Sequence, residues 1–175
     1  MQEARHPETD EQLLARAKLG DESALASLFE RYRERLMRLV SFRVDPRLRR
    51  RVSAADVVQE TFLTVRNKIE RHYDAEKLSF FLWLRLEIGQ KLIEIHRHHF
   101  GAQMRDASRE VSIYWGGMPT VESSTLAERL IGRMSTASNA AIRAELTVQV
   151  QHALDAMDPQ DREMLVLRHF EELSN

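Results

Sequence analysis

Residues 53–71 read SAADVVQETFLTVRNKIER, and their spacing decides the fold class. At 100° per residue Val58, Phe62, Val65 and Ile69 gather within about 60° of one another, as the buried stripe of a helix does and alternate residues of a strand do not. Ser53 stands where an N-cap belongs, with Asp56 three residues on in a capping-box-like arrangement. Nearly opposite the stripe are Asp56, Gln59, Glu60 and Leu63, an acidic and amide face with one apolar residue in it. Any one of them suits an ordinary solvated face. As a set they have the composition of a docking surface, because acceptors standing off a rigid helix can pair with Arg and Lys on a partner helix.

The same periodicity runs outward in both directions. A short helix is expected over 9–19, stopped at Gly20. Asp21 then caps a long second helix reaching about residue 42, with Leu25, Leu28, Tyr32, Leu36, Leu39 and Val40 as its stripe. Asp45-Pro46 breaks that helix, and a basic run over 47–51 follows. A loop over 72–77 leads to Ser79, the cap of a fourth helix that carries Phe81, Leu84, Ile88, Leu92 and Ile95 inward and ends in His96-Arg97-His98-His99. Beyond Gly101 the pattern weakens. Residues 101–124, with Gly116-Gly117 and Met118-Pro119, read as a linker, though Val111, Ile113, Tyr114 and Trp115 suggest that part of it docks on a surface. A helix over about 125–133 goes with this connector. The next helix is expected over 139–157 with Ile142, Leu146, Val150 and Leu154 in register. Asp158-Pro159 supplies an N-cap and an N1 proline for a last helix over 160–172, with Met164, Leu165 and Leu167 at core positions. The expected organisation is all-α: a helical bundle over 1–100, a connector over 101–138 and a second unit over 139–175.

Composition narrows the function. A chain of 175 residues with 43% hydrophobic content can bury one sizeable core or two small ones. The absence of cysteine excludes disulfides and thiolate metal sites and suits a reducing cytoplasm. No apolar run approaches membrane-spanning length, and the opening MQEARHPETDEQ lacks the apolar stretch of a secretory signal, so a soluble cytoplasmic protein is expected. The net charge of -1 argues against a nucleic-acid binder, but its distribution does not. From Arg31 to Arg105 there are 17 Lys/Arg against 9 Asp/Glu, whereas the remainder has 9 against 18. A basic centre between acidic flanks fits an unevenly charged helical surface or a polyanion-binding centre.

The segment Ala55-Asp56-Val57-Val58-Gln59-Glu60-Thr61-Phe62-Leu63 resembles the DLVQETFL signature of bacterial RNA polymerase sigma factors, where those proteins grip the polymerase. Asp10-Glu11-Gln12-Leu13-Leu14, Gly20-Asp21-Glu22-Ser23-Ala24-Leu25 and Leu28-Phe29-Glu30-Arg31-Tyr32 are similar to the first helices of the extracytoplasmic-function (ECF) type within the sigma-70 family. Residues 153–168, ALDAMDPQDREMLVLR, look like the opening of that family's promoter-reading C-terminal domain. The resemblance implies a sigma region 2-like bundle, a long connector and a partial C-terminal helix-turn-helix domain. It implies a transcription initiation factor that binds core RNA polymerase and directs promoter recognition and melting of the -10 element. Asp56, Gln59, Glu60 and Leu63 are then the residues that meet the β′ clamp helices.

The fourth helix resembles the segment that melts and reads the -10 element. Trp83, Gln90 and Arg97 recur every seven residues along one face. The resemblance gives Trp83 the role of the aromatic that holds the upstream edge of the bubble open. Lys77, Phe80, Phe81 and Arg85 fall where a flipped base is captured, and Arg97 with its neighbouring histidines would meet backbone phosphate. Binding a splayed base on an aromatic is worth roughly 1–3 kcal/mol, comparable to the ~1.4 kcal/mol of one base-pair step of stacking. A few such contacts can favour opening without ATP. Two features depart from the pattern: Glu87 and Glu94 flank this face and would repel DNA, and Gln90 stands where many ECF factors have asparagine.

His96, His98 and His99 could suggest a metal, but no carboxylate or cysteine completes a set, so neither metal nor cofactor is expected. No nucleophile with a base, paired acids or phosphate loop marks an enzyme. In the resembled family the helix reading the -35 element would lie beyond Asn175, so the chain is expected to be cut within its C-terminal domain and to read -35 DNA poorly. An anti-sigma factor is a further partner the resemblance allows. Two other classes fit the same residues: a helical interaction or anti-regulator module without promoter activity, and a non-specific nucleic-acid binder using the basic centre.

Overall fold

The computed structural model describes residues 8–100, 114–115, 118–134 and 140–171. They form α1 (Asp10–Lys18), α2 (Glu22–Arg43), α3 (Ala54–His72), α4 (Phe80–Phe100), the short strands β1 (Tyr114–Trp115) and β2 (Met118–Pro119), then α5 (Ser123–Met134), α6 (Ala140–Asp155) and α7 (Pro159–His169). Most of the described residues are α-helical, and the two strands form one antiparallel pairing of Tyr114 with Pro119 and Trp115 with Met118. Among them no helix is long and apolar enough to cross a membrane. Val111 and Ile113 lie outside the described residues.

Local chemistry sets the helix ends. Thr9 and Gln12 form a reciprocal capping box: the Thr9 hydroxyl accepts from the Gln12 N–H, and the Gln12 side chain accepts from the Thr9 N–H at 2.9 Å. Gly20 closes the α1–α2 corner with φ of 87°, and Asp21 accepts from the N–H groups of Ser23 and Ala24 at 3.0 and 3.1 Å. The Asp21 carboxyl is held far below the usual range, first by the Ser23 hydroxyl, then by the Ala24 N–H and Arg16. A Cβ at Gly20 would come no nearer than 3.7 Å to another side chain, so space is not the constraint. The backbone angle is. Gly20→Ala is expected to cost about 1 kcal/mol in urea denaturation; an unchanged midpoint would mean the corner relaxes freely.

Helices α1 to α4 close the larger core. Leu25, Leu28, Leu36, Leu39 and Val40 of α2 and Val58, Val65 and Ile69 of α3 are buried there, with Leu84, Ile88 and Leu92 of α4. Phe29 meets Phe62 edge-on at 5.1 Å, tying α2 to α3. Met118 of β2 is fully buried in the same core, so this stretch of the chain docks on the bundle.

Helices α5 to α7 build a second, smaller core from Val121, Leu126, Ala127, Leu154 and Val166, and Phe42 of α2 joins it. The ring of Phe42 stacks on Phe170 at 4.6 Å with 10° between the planes. α5 therefore packs with the C-terminal helices. The expected stripe holds at Leu154, which is buried, and at the partly buried Val150 and Leu165, but Ile142, Leu146 and Met164 are exposed at 50%, 38% and 49%, while Val166 and Glu163 turn inward.

Candidate functional site

The α3 face is built as its spacing requires. Val57, Val58, Thr61, Val65 and Ile69 are buried against the bundle, and Thr61 returns its hydroxyl to the Val57 carbonyl at 2.8 Å. Asp56, Gln59, Glu60 and Leu63 consequently all point to solvent, Leu63 at 46% exposure. The Ser53 hydroxyl accepts from the Ala55 N–H at 3.2 Å, and among the described residues no reciprocal bond from Asp56 completes the capping box. Its carboxylate stays on the surface near the N-terminus of α3, where the helix dipole favours negative charge.

Glu60 is braced by Lys91 of α4 at 2.7 Å, and Lys91 also reaches Glu94 at 3.2 Å. The Glu60 contact, then that of Glu94, lifts the Lys91 pKa against the effect of its partial burial. The acidic face thus has one internal cation at its edge. Beside Gln59 a groove of about 230 Å³ opens between α2 and α3, lined by Ala26, Phe29, Ala55, Val58 and Phe62 with Glu30 and Arg33 at its rim. Acceptors and an apolar groove side by side suit a partner helix that carries both cations and aliphatic side chains.

The residues singled out on α4 are arranged differently from the expectation. Trp83 is 6% exposed, with its ring 5.0 Å from Tyr73 and 6.0 Å from Phe80. It does not share an open face with Gln90 and Arg97, which are exposed. The reason is that Tyr73, just after α3, and Tyr32 of α2 pack against the rings in the first turn of α4, which therefore joins the core. Phe80 and Phe81 are buried, their rings 5.9 and 5.8 Å from Tyr32. Lys77 is exposed and paired with Asp74 at 2.9 Å. Glu87, expected to repel DNA, is buried and neutralised by Lys68 at 2.7 Å; Glu94 remains on the surface.

His96 also turns inward, at 7% exposure. Burial pushes its pKa below the ordinary 6.5, Asp45 opposes that, and Arg47 and His99 reinforce it. A depressed pKa means that stability is full above the unfolded value near 6.5 and is lost as pH falls toward the folded one. His96 is therefore expected to titrate below 6.5 by NMR, with a matching loss of urea stability on the acid side that His96→Gln removes. Titration at or above the ordinary value would place the ring in solvent.

Sequence reasoning missed a charged cluster between the two cores. Arg43, at the end of α2, has a fully buried guanidinium that donates to both oxygens of Glu163 at 3.0 and 2.5 Å and to Glu171, Nε to Oε1 at 2.7 Å. Arg85 of α4 donates to the other Glu171 oxygen at 2.5 Å. Arg35 donates to the Glu171 carbonyl at 2.8 Å while lying 3.6 Å above the Phe81 ring. Burial works against the Arg43 charge, yet the two carboxylates raise its pKa above the ordinary guanidinium value. A signal was present: Arg43 lies seven residues after Leu36 and Glu163 three before Val166, each in the register of a buried stripe.

Neither protein-family models, nor curated proteins, nor solved structures yield a match.

Proposed function

We propose that the protein is a transcription initiation factor of the sigma-70, ECF-like type, which docks on the β′ clamp helices of core RNA polymerase through α3 and directs opening of promoter DNA at the -10 element. What supports this reading above all is the α3 face: Asp56, Gln59, Glu60 and Leu63, in the segment that resembles the sigma signature, are exposed together beside an apolar groove. An acidic and amide face on a rigid helix complements a basic partner helix in charge and supplies both steering and register.

In the DNA-handling role, Gln90, Arg97 and Lys77 are available on the surface. Trp83, Phe80 and Phe81 are buried in the bundle and Arg85 against Glu171, so their part in this role requires those contacts to open. The factor acts by binding alone, without chemistry of its own, metal or cofactor, and its place is the cytoplasm. The second reading is a helical interaction or anti-regulator module that uses the same face without promoter activity; the burial of Trp83 favours it over an open DNA-melting surface.

The test is titration of the fluorescently labelled chain with core RNA polymerase. Saturable binding, displaced by an established sigma factor, is expected. No binding at micromolar polymerase would end both the assignment and the interaction-module form of it that uses β′.

A further inference from the structure

The buried Arg–Glu cluster has a one-sided construction. Every guanidinium, from Arg35, Arg43 and Arg85, belongs to α2 or α4 of the N-terminal bundle, and both carboxylates belong to α7 and the residue position 171 just after it. As glue such a cluster is a poor choice, since burying two charged groups costs desolvation that apolar side chains of like size avoid. As a receptor it is well made. Arg43 grips Glu163 with two nitrogens on two oxygens, and Arg85 and Arg43 divide the oxygens of Glu171 between them. Phosphate offers the same spaced pair of acceptor oxygens that a carboxylate does, and the guanidinium fork fits either.

The site also lies in a basic setting. Arg85 shares α4 with the exposed Gln90 and Arg97, and α2 runs from Arg43 into a loop where Arg49, Arg50 and Arg51 are exposed. If the C-terminal helices swing away, Arg43 and Arg85 lose their counter-charges and Arg35 loses the Glu171 carbonyl, in the stretch of chain richest in cations. The two freed arginines belong to a segment that carries 17 basic against 9 acidic residues between Arg31 and Arg105.

We infer that Arg35, Arg43 and Arg85 form a binding site for nucleic-acid backbone phosphate, which Glu163 and Glu171 occupy in the closed conformation, so that the chain blocks its own contact with DNA until α7 is displaced. The choice of DNA as the occupant rests on the proposed function; the receptor and its internal plug do not.

The experiment uses the full chain without polymerase and a labelled random-sequence duplex, read by fluorescence anisotropy over a range of salt concentrations. Glu163→Gln with Glu171→Gln is compared with wild type and with Glu145→Gln plus Asp161→Asn, which changes charge equally at two exposed positions. The unplugged variant is expected to bind at least ~10-fold tighter than both, with a log–log salt slope steeper by about 0.9 for each arginine that meets a phosphate. Adding Arg43→Ala and Arg85→Ala should return it to wild-type affinity. Should the double Gln variant lose helicity, Phe170→Ala breaks the stack on Phe42, leaves every charge in place and should raise affinity in the same way. A gain no larger than that of the surface control, or one that survives loss of the arginines, overturns the inference. Because polymerase is absent, neither result depends on whether the chain docks on it.

Discussion

Arg43→Ala is expected to destabilise the protein by about 3–5 kcal/mol, because it strands Glu163 in the interior and leaves Glu171 with Arg85 alone. The loss should fall on one part of the molecule. Apart from a bond to the Pro119 carbonyl at 2.9 Å, the Arg43 guanidinium is committed to Glu163 and Glu171, and the smaller core is held to α2 by Phe42, Phe170 and this cluster. Urea denaturation should therefore turn from one transition into two, with the C-terminal helices released first. Arg43→Met combined with Glu163→Leu removes both halves of the bidentate pair and should recover most of the stability, since apolar replacement of a whole buried pair is often neutral. A cost below ~1 kcal/mol for Arg43→Ala would mean that water reaches the carboxylates.

The second large effect is on binding. Gln59→Ala together with Glu60→Arg should weaken binding to core polymerase by at least ~100-fold, about 2.7 kcal/mol. The change removes an amide beside the α2–α3 groove and puts a cation where the surface is acidic, next to Lys91. Both side chains are exposed, so helicity and unfolding midpoint should stay within about 0.5 kcal/mol of wild type. A folded variant that co-purifies with polymerase as well as wild type would remove α3 from the interface.

The parts of this protein legible from its sequence are those fixed by neighbours along the chain. Thr9, Asp21, Ser53 and Asp158 cap their helices with bonds that span two or three residues. Val58, Val65 and Ile69 could be placed inside, and Asp56, Gln59, Glu60 and Leu63 outside, from helical geometry alone. Periodicity identifies a face without identifying what covers it. Ile142 and Leu146 stand in register on α6 yet remain exposed, and Trp83 is hidden because Tyr73, ten residues before it, folds back over its ring. The repulsion of DNA expected of Glu87 is cancelled by Lys68, nineteen residues away in the sequence. The Arg43 cluster joins residues 120 and 128 positions apart, a distance over which no local rule carries information.

The most direct measurement is promoter-dependent transcription by core polymerase reconstituted with this chain on a pool of promoter fragments. Initiation should occur at a defined subset of start sites, with unpaired thymines near the -10 element reactive to permanganate, and both signals should vanish with Gln59→Ala plus Glu60→Arg. Polymerase that binds the chain yet yields no chain-dependent transcript and no open complex would contradict the initiation-factor reading and leave an interaction module in its place.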